Sequence, residues 1–171
     1  MGQDQLLLVF TPDHTCYSGV STDVFDGAWH HLAVSWSSAD GATVFFRDGA
    51  THAIQTCHAG KSIPDGGCLV LAQEQDGGCI VSGFDANQAF AGDMDEVRLW
   101  SDALDPTAIA EHADGTCISD SGAPIASLYA HWVFDGAQMR DLAPGGRHLS
   151  VEKGAASDSS VASALASALA A

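Results

Sequence analysis

The chain has 171 residues, with 22 Asp and Glu against 6 Lys and Arg, so its formal net charge is −16. Such a surface repels nucleic-acid phosphates, whose binding depends on Lys and Arg, and we expect no nucleic-acid partner. No apolar run approaches the roughly 20 residues of a membrane span, so the protein is not predicted to be embedded in a membrane. The acidity suits divalent cations or extracellular conditions, and it is equally explained as a means of staying soluble.

Five cysteines are spread along the chain without a Cys-x-x-Cys pair, which gives a zinc or redox site little support. Three of them, Cys57, Cys68 and Cys79, lie close together in sequence and can form one disulfide in an oxidising compartment. Because the count is odd, at least one thiol is free or pairs elsewhere. The connectivity stays open among Cys16, Cys57, Cys68, Cys79 and Cys117.

A β-hairpin is the strongest local signal. Residues 29–36 alternate so that every second side chain shares one face of a buried strand, as the period of a strand requires. Asp40-Gly41 then gives a tight turn, and residues 43–47 form a second run that ends at Asp48-Gly49. The side chains that share the first strand's face are Leu32, Val34 and Trp36.

Further short strands are predicted at residues 6–10, 68–72, 95–100 and 128–135, separated by turn signals. Strands this short and this regularly interrupted are typical of an antiparallel sandwich rather than a parallel sheet. One short helix is predicted, because Asp105 can cap it, Pro106 suits its first position and Gly115 follows it.

Three segments carry motifs in a fixed order. Residues 26–36 read DGAWHHLAVSW, residues 69–76 read LVLAQEQD, and residues 83–100 read GFDANQAFAGDMDEVRLW. Together they resemble the motifs of pentraxin and laminin-G-like domains of the concanavalin A-like lectin/glucanase superfamily, with Ala33 where pentraxins carry a Cys. The resemblance covers residues 3–112, the C-terminal two thirds of such a domain. It implies an all-β fold, an antiparallel jelly-roll β-sandwich, here with one short helix.

The domain organisation follows from the same resemblance, because residues 128–135 resemble the way these domains begin. We expect a slice across a tandem array, or a strand at 128–135 that folds back beside residues 95–100 and closes the sandwich in permuted order. The tail is Ala/Ser-rich and is expected to form a weak helix or to be disordered. The predicted segments are 1–115 for the domain, 116–127 for a linker, 128–154 for the next repeat or closing strand, and 155–171 for the tail.

An acidic stretch at residues 74–88 predicts a calcium site. It contains no Lys or Arg, and its glycines let the chain curl so that acids converge. Calcium takes about six to eight oxygen ligands from carboxylates, amides and carbonyls. The resemblance implies two calcium ions, although Gln5 stands where the family has Asn and Asp85 where a Glu is usual. The implied ligands are Asp4, Gln5, Glu74, Gln75, Asp76, Asp85 and Gln88, with Leu8 and Phe10 beside them in a small apolar pocket.

Other residues favour structural roles. His30 and His31 are neighbours on a strand and point to opposite faces, so they are expected to lie at a strand entry rather than to bind a metal. Tryptophans can stack on sugars, but those with alternating partners are expected in the core. Asp93 and Asp95 would share a strand face, as in sandwich-fold endoglucanases, but the next position is apolar Val97 and no general acid follows.

We therefore expect a non-enzymatic recognition module of an extracellular multidomain protein, which binds glycans or phosphorylated head groups through Ca²⁺. The alternatives are a metal-free adhesion or spacer module and, less favoured, a glycoside hydrolase. The oligomeric state and the ligand's identity are left open by the sequence.

Overall fold

The computed structural model describes residues 7–11, 14–17, 23–63, 69–72, 90–114, 127–134, 140–147, 149–151 and 164–166. Within these ranges the chain forms short strands and one helix, and every strand pairing is antiparallel. The predicted all-β class with one short helix is confirmed. The chain divides into two compact units: unit 1 comprises residues 1–63 and 102–126, and unit 2 comprises residues 64–101 and 127–171.

The described residues of unit 1 form five strands. A two-stranded sheet pairs β1 with β2, and a second sheet has the order β3-β4-β5. The predicted hairpin is confirmed as the β3-β4 pair, whereas β5 was not anticipated from the sequence. The strands are β1 Leu7–Thr11, β2 His14–Tyr17, β3 Leu32–Trp36, β4 Ala42–Arg47 and β5 Ala50–Thr56.

The central strand β4 is covered on both faces. Phe45 and Phe46 are consecutive, so they point to opposite sides of the sheet, and both are fully buried. Burying each aromatic side chain contributes about 1.5–3 kcal/mol. The turn into β5 consists of Asp48 and Gly49, with φ of 51° and 76°. Positive φ at both positions is the type I′ geometry that matches the twist of the two strands, and Asp-Gly is a favoured pair for it.

The β3 strand corrects two predictions. The alternation is right, but Leu32 and Val34 are 42% and 43% exposed, so that face is not a buried one. The strand begins at Leu32, and Trp29 ahead of it is 69% exposed rather than part of the core. Alternation shows which side chains share a face of β3, but not whether another layer packs on that face.

The helix α1 spans Pro106–Ala113, as the sequence predicts. The carboxylate of Asp105 accepts the N–H of Ala108 at 2.9 Å, which satisfies one of the free donors of the first turn. A Cβ at Gly49 would lie 3.0 Å from the Cβ of Ala113, so the β4-β5 turn packs closely on the helix.

The described residues of unit 2 form two three-stranded sheets, with the orders β10-β11-β6 and β7-β8-β9. Its strands are β6 Leu69–Leu71, β7 Val97–Trp100, β8 Leu128–Val133, β9 Arg140–Asp141, β10 Ser150–Val151 and β11 Ala164–Ala166. The helix considered for the tail is wrong at residues 164–166, because β11 pairs with β6 and β10. Strand pairing here overrides the helical propensity of an Ala-rich sequence.

Strand β8 returns to β7, with Val97 opposite Trp132 and Leu99 opposite Ala130. This is the pairing that the fold-back hypothesis predicts. Whether residues 128–154 are the start of a next repeat, and the segment boundaries proposed with them, stays a prediction. The pairing brings Ala130 and Trp132 into a core with Leu149, against which the side chains of Leu69, Leu71, Val97, Tyr129 and Phe134 pack.

Candidate functional site

The predicted calcium ligands fall on the part of the chain that the structure does not describe, so their placement stays a prediction. Leu8 and Phe10 lie in β1, and the pocket assigned to them stays a prediction as well. The ligands outside the described residues are Asp4, Gln5, Glu74, Gln75, Asp76, Asp85 and Gln88.

The two ends of the acidic segment are joined in unit 2. The N–H of Phe90 donates to the carbonyl oxygen of Ala72 at 2.9 Å, which joins the two described residues on either side of positions 73–89. Ala72 has φ of 64°, in the left-handed region, which ends β6 sharply. Holding the ends together removes part of the entropy cost of bringing the segment's carboxylates near one another.

The stretch after the acidic segment is positioned by close packing. A Cβ at Gly92 would lie 2.8 Å from Cζ of Phe90, so the aromatic ring covers the glycine. A side chain at position 92 would therefore require the Phe90 ring to shift. On the other side, β6 is anchored because Leu69 and Leu71 pack against the buried core of unit 2.

Acidic residues just ahead of β7 hold the β7-β8 pair together. One carboxylate oxygen of Asp95 accepts the N–H of Phe134 at 3.1 Å and the N–H of Glu96 at 2.8 Å. Glu96 binds Arg98 and also lies 2.9 Å from Nε2 of His131. This network was missed from the sequence, because Phe134 and His131 are far from it in the chain.

The same geometry bears on the hydrolase alternative. That reading needs acids on one face of a strand, but β7 begins at Val97, so Asp93 and Asp95 precede it. Glu96 has φ of 55°, which breaks the extended course there. The strand-face arrangement that the alternative requires is therefore not formed.

His30 is enclosed by two carboxylates in unit 1. Its Nε2 lies 3.0 Å from Asp26, and its Nδ1 lies 3.0 Å from Asp48 in the β4-β5 turn. Its side chain is 11% exposed. The sequence placed His30 at a strand entry, which is where it lies, but the two acids around it were not anticipated.

Cys16 of β2 and Cys57, the residue after β5, form a disulfide. One disulfide was predicted among Cys57, Cys68 and Cys79. A disulfide of Cys57 with either of the other two is therefore wrong. The remaining pair, Cys68 with Cys79, lies outside the described residues. Cys57 also accepts a hydrogen bond from β3, because Trp36 Nε1 donates to its carbonyl oxygen at 3.0 Å.

The described ranges contain no group of three or more His, Cys, Asp or Glu side chains able to hold a metal ion. In the same ranges no helix has the length and apolar character needed to cross a membrane.

Comparison with known proteins decides the family. The model of the Pentaxin family matches residues 3–122, more than half of the chain. The chain belongs to the Pentaxin family. The resemblance inferred from the three motifs is confirmed, and the antiparallel sheets described above belong to a jelly-roll sandwich.

Individual relatives match about half of this chain. Human Pentraxin-4 is 40% identical over 93 residues, 54% of this chain and 19% of its own length. Guinea-pig (Cavia porcellus) Neuronal pentraxin-2 is 36% identical over 92 residues, 53% of this chain and 21% of its own length. Rat (Rattus norvegicus) "Sushi, von Willebrand factor type A, EGF and pentraxin domain-containing protein 1" is 42% identical over 84 residues, 48% of this chain and 2% of its own length. The chain thus spans about a fifth or less of these relatives.

The family match ends before β8. Residues beyond it nevertheless supply the buried core of unit 2, because Ala130, Trp132 and Leu149 all lie after residue 122. The family-matched residues Leu69 and Val97 pack against this core from β6 and β7.

Proposed function

We propose that this pentaxin domain is a calcium-dependent recognition module that binds glycans or phosphorylated head groups. The observation that carries the proposal is the family match over residues 3–122, which includes the Gln-Glu-Gln-Asp stretch at 73–76. In the proposal, Glu74 and Asp76 are shared by two ions, Gln75 contributes its carbonyl oxygen, and Asp85 and Gln88 complete the second ion.

Electrostatics support this role for the acidic segment. Residues 74–88 contain no Lys or Arg, so carboxylates that converge there repel each other until a cation compensates them. The hydrogen bond between Phe90 and Ala72 favours the same convergence by closing the segment. Asp4 and Gln5 serve the first ion, and the amide at Gln5 still offers an oxygen ligand of the kind calcium accepts.

Calcium titration of the whole chain by calorimetry tests the proposal. We expect binding heat with the unaltered chain and its loss in the double variant Glu74→Ala/Asp76→Ala, because shared ligands are removed. Asp102→Ala/Glu111→Ala is the matched control, since it removes the same charge from exposed positions in unit 1. The control is expected to keep the heat.

Two outcomes would count against calcium binding: no heat with the unaltered chain, or equal heat in the Glu74→Ala/Asp76→Ala variant. Either outcome would favour the alternative of a metal-free adhesion or spacer module. That alternative also suits Gln5, which stands where the family has Asn, and Asp85, which is shorter than the usual Glu. A glycan array that includes phosphorylated head groups, run with and without chelator, then identifies the ligand class.

The proposal places the module outside the cell in a multidomain protein, without enzymatic activity. The Cys16–Cys57 disulfide supports an oxidising compartment. We expect the protein to be secreted into the medium with this disulfide formed. Mass spectrometry without reduction measures it.

A further inference from the structure

We propose that His30 is a pH-sensitive latch, which fastens the exposed aromatic turn at residues 25–29 to the β4-β5 turn and releases it as the imidazolium loses its proton. The latch lies in unit 1 and is independent of the calcium proposal, whose residues lie elsewhere in the sequence.

The geometry requires a doubly protonated ring. Nε2 of His30 faces Asp26 at 3.0 Å, and Nδ1 faces Asp48 at 3.0 Å. A carboxylate only accepts hydrogen bonds, and a neutral imidazole donates from one nitrogen alone. Both contacts are hydrogen bonds only when His30 is an imidazolium. After deprotonation, one ring nitrogen presents a lone pair to a carboxylate, and that contact becomes repulsive.

The two carboxylates are held unequally, which determines the contact that opens. Asp48 also accepts the N–H of His31 at 3.0 Å and lies 3.2 Å from Nε of Arg47. Asp26 additionally accepts the N–H of Ala28 at 2.8 Å, but Ala28 belongs to the same turn and does not tie it to the sheet. Neutral His30 therefore keeps Asp48 and lets Asp26 go.

Release of Asp26 affects an apolar surface. The turn carries Phe25 and Trp29, whose side chains are 70% and 69% exposed. The contact between Asp26 and His30 adds a side-chain tie on this turn to the backbone hydrogen bond from the N–H of Asp48 to the carbonyl oxygen of His31. At acidic pH the latch restrains the two aromatic side chains, and at higher pH the turn loses this side-chain tie.

The pKa directions agree with the geometry. The hydrogen bonds that His30 donates, first to Asp48 and then to Asp26, raise its pKa above its ordinary 6.5. The pKa of Asp26 is lowered from 3.8, mainly by the N–H of Ala28 and then by His30. Burial acts to raise the pKa of Asp48, but the hydrogen bonds donated by His30 and by the N–H of His31 outweigh it, so the pKa of Asp48 is lowered from 3.8.

The stabilisation by the latch depends on pH at both ends of its range. His30 contributes its stabilisation fully below pH 6.5 and loses it as the pH rises through its raised pKa. Asp26 and Asp48 contribute above pH 3.8 and lose their stabilisation as the pH falls through their lowered pKa values. The latch is therefore closed in mildly acidic solution.

An NMR titration of the ¹⁵N-labelled whole chain from about pH 5 to about pH 9 tests the latch, since histidine changes charge in this range. We expect both ring nitrogens of His30 to be protonated at the acidic end, with a midpoint above 6.5. The indole N–H signal of Trp29, assigned with Trp29→Phe, is expected to move with the same midpoint.

Three variants make the result specific. His30→Gln is expected to abolish the Trp29 response, and Asp26→Asn to lower the His30 midpoint without unfolding the chain. His52→Gln, which alters another histidine of the same sheet in β5, is expected to leave both unchanged. The proposal is overturned if the His30 midpoint lies at or below 6.5, if Trp29 does not respond, or if its response persists in His30→Gln.

Discussion

Two carboxylates, one in each unit, are used in different ways. Asp48 of unit 1 has a side chain that is 49% exposed, and it binds the ionisable groups of His30 and Arg47 besides one backbone N–H. Asp141 of unit 2 is only 5% exposed. It accepts the backbone N–H groups of His131 at 2.9 Å, Ala143 at 2.9 Å and Arg147 at 2.7 Å.

The difference separates contacts with ionisable side chains from contacts with backbone N–H groups. Backbone N–H groups do not titrate, so these three donors persist while the protein is folded. They also organise the chain after β8 locally, because Arg147 in turn donates to the carbonyl oxygen of Tyr129 and stacks 3.7 Å above its ring. The contacts of Asp48 with His30, by contrast, depend on a proton.

The largest expected effect comes from the buried core of unit 2, to which Trp132 belongs. Trp132 is 2% exposed and donates from Nε1 to the carbonyl oxygen of Arg147 at 2.6 Å. Trp132→Ala is expected to lower the free energy of unfolding by about 3–5 kcal/mol, through lost burial and a cavity. Urea denaturation measures this change.

Trp29→Ala is the matched control, since Trp29 is 69% exposed and its change is expected to stay within about 0.5 kcal/mol. Hydrogen exchange adds a local readout, in which β7 and β8 lose protection together in Trp132→Ala. Protection of β7 without β8 in the unaltered chain would contradict their pairing.

A middle-sized effect is expected from Asp141→Asn. The amide keeps one acceptor oxygen but turns the other position into a donor, which leaves a buried N–H without an acceptor. This costs about 1–3 kcal/mol of the free energy of unfolding. Thermal unfolding measures it against Asp102→Asn, an exposed acid that is expected to change little. An equal loss of stability in Asp141→Asn and Asp102→Asn would show that the buried position of Asp141 does not increase its contribution.

The smallest expected effect, and the one that depends on pH, is that of His30→Gln. Below pH 6.5 the variant is expected to unfold at a slightly lower temperature than the unaltered chain, and the difference disappears as the pH rises through the raised pKa of His30. Asp141→Asn is expected to keep its deficit across the same range. A His30→Gln deficit that does not vary with pH would remove the distinction between the two carboxylates.

Local chemistry explains what could be predicted. The Asp40-Gly41 turn depends on two adjacent turn residues, and the start of α1 depends on Asp105 and Pro106, so short windows of sequence suffice. The three motifs together carried the family resemblance. The calcium ligands remain a prediction from that family.

Long-range choices explain what could not be predicted. Alternation along β3 gave the shared face of Leu32 and Val34, but whether a face is covered depends on what packs against the sheet. The sequence likewise does not separate the tryptophans, since Trp29 is exposed and Trp132 is buried. Cys16 and Cys57 are separated by 41 positions, and nothing local pairs them.

By itself, the sequence determined the family, the antiparallel class, the hairpin and the helix, because each depends on motifs or turn residues within a few positions of one another. Only the tertiary structure decided that β8 returns to β7, that Cys57 binds Cys16, and that Asp26 and Asp48 meet on His30. These depend on which distant segments become neighbours, and that is settled by the burial of the whole chain rather than by the preferences of any one stretch.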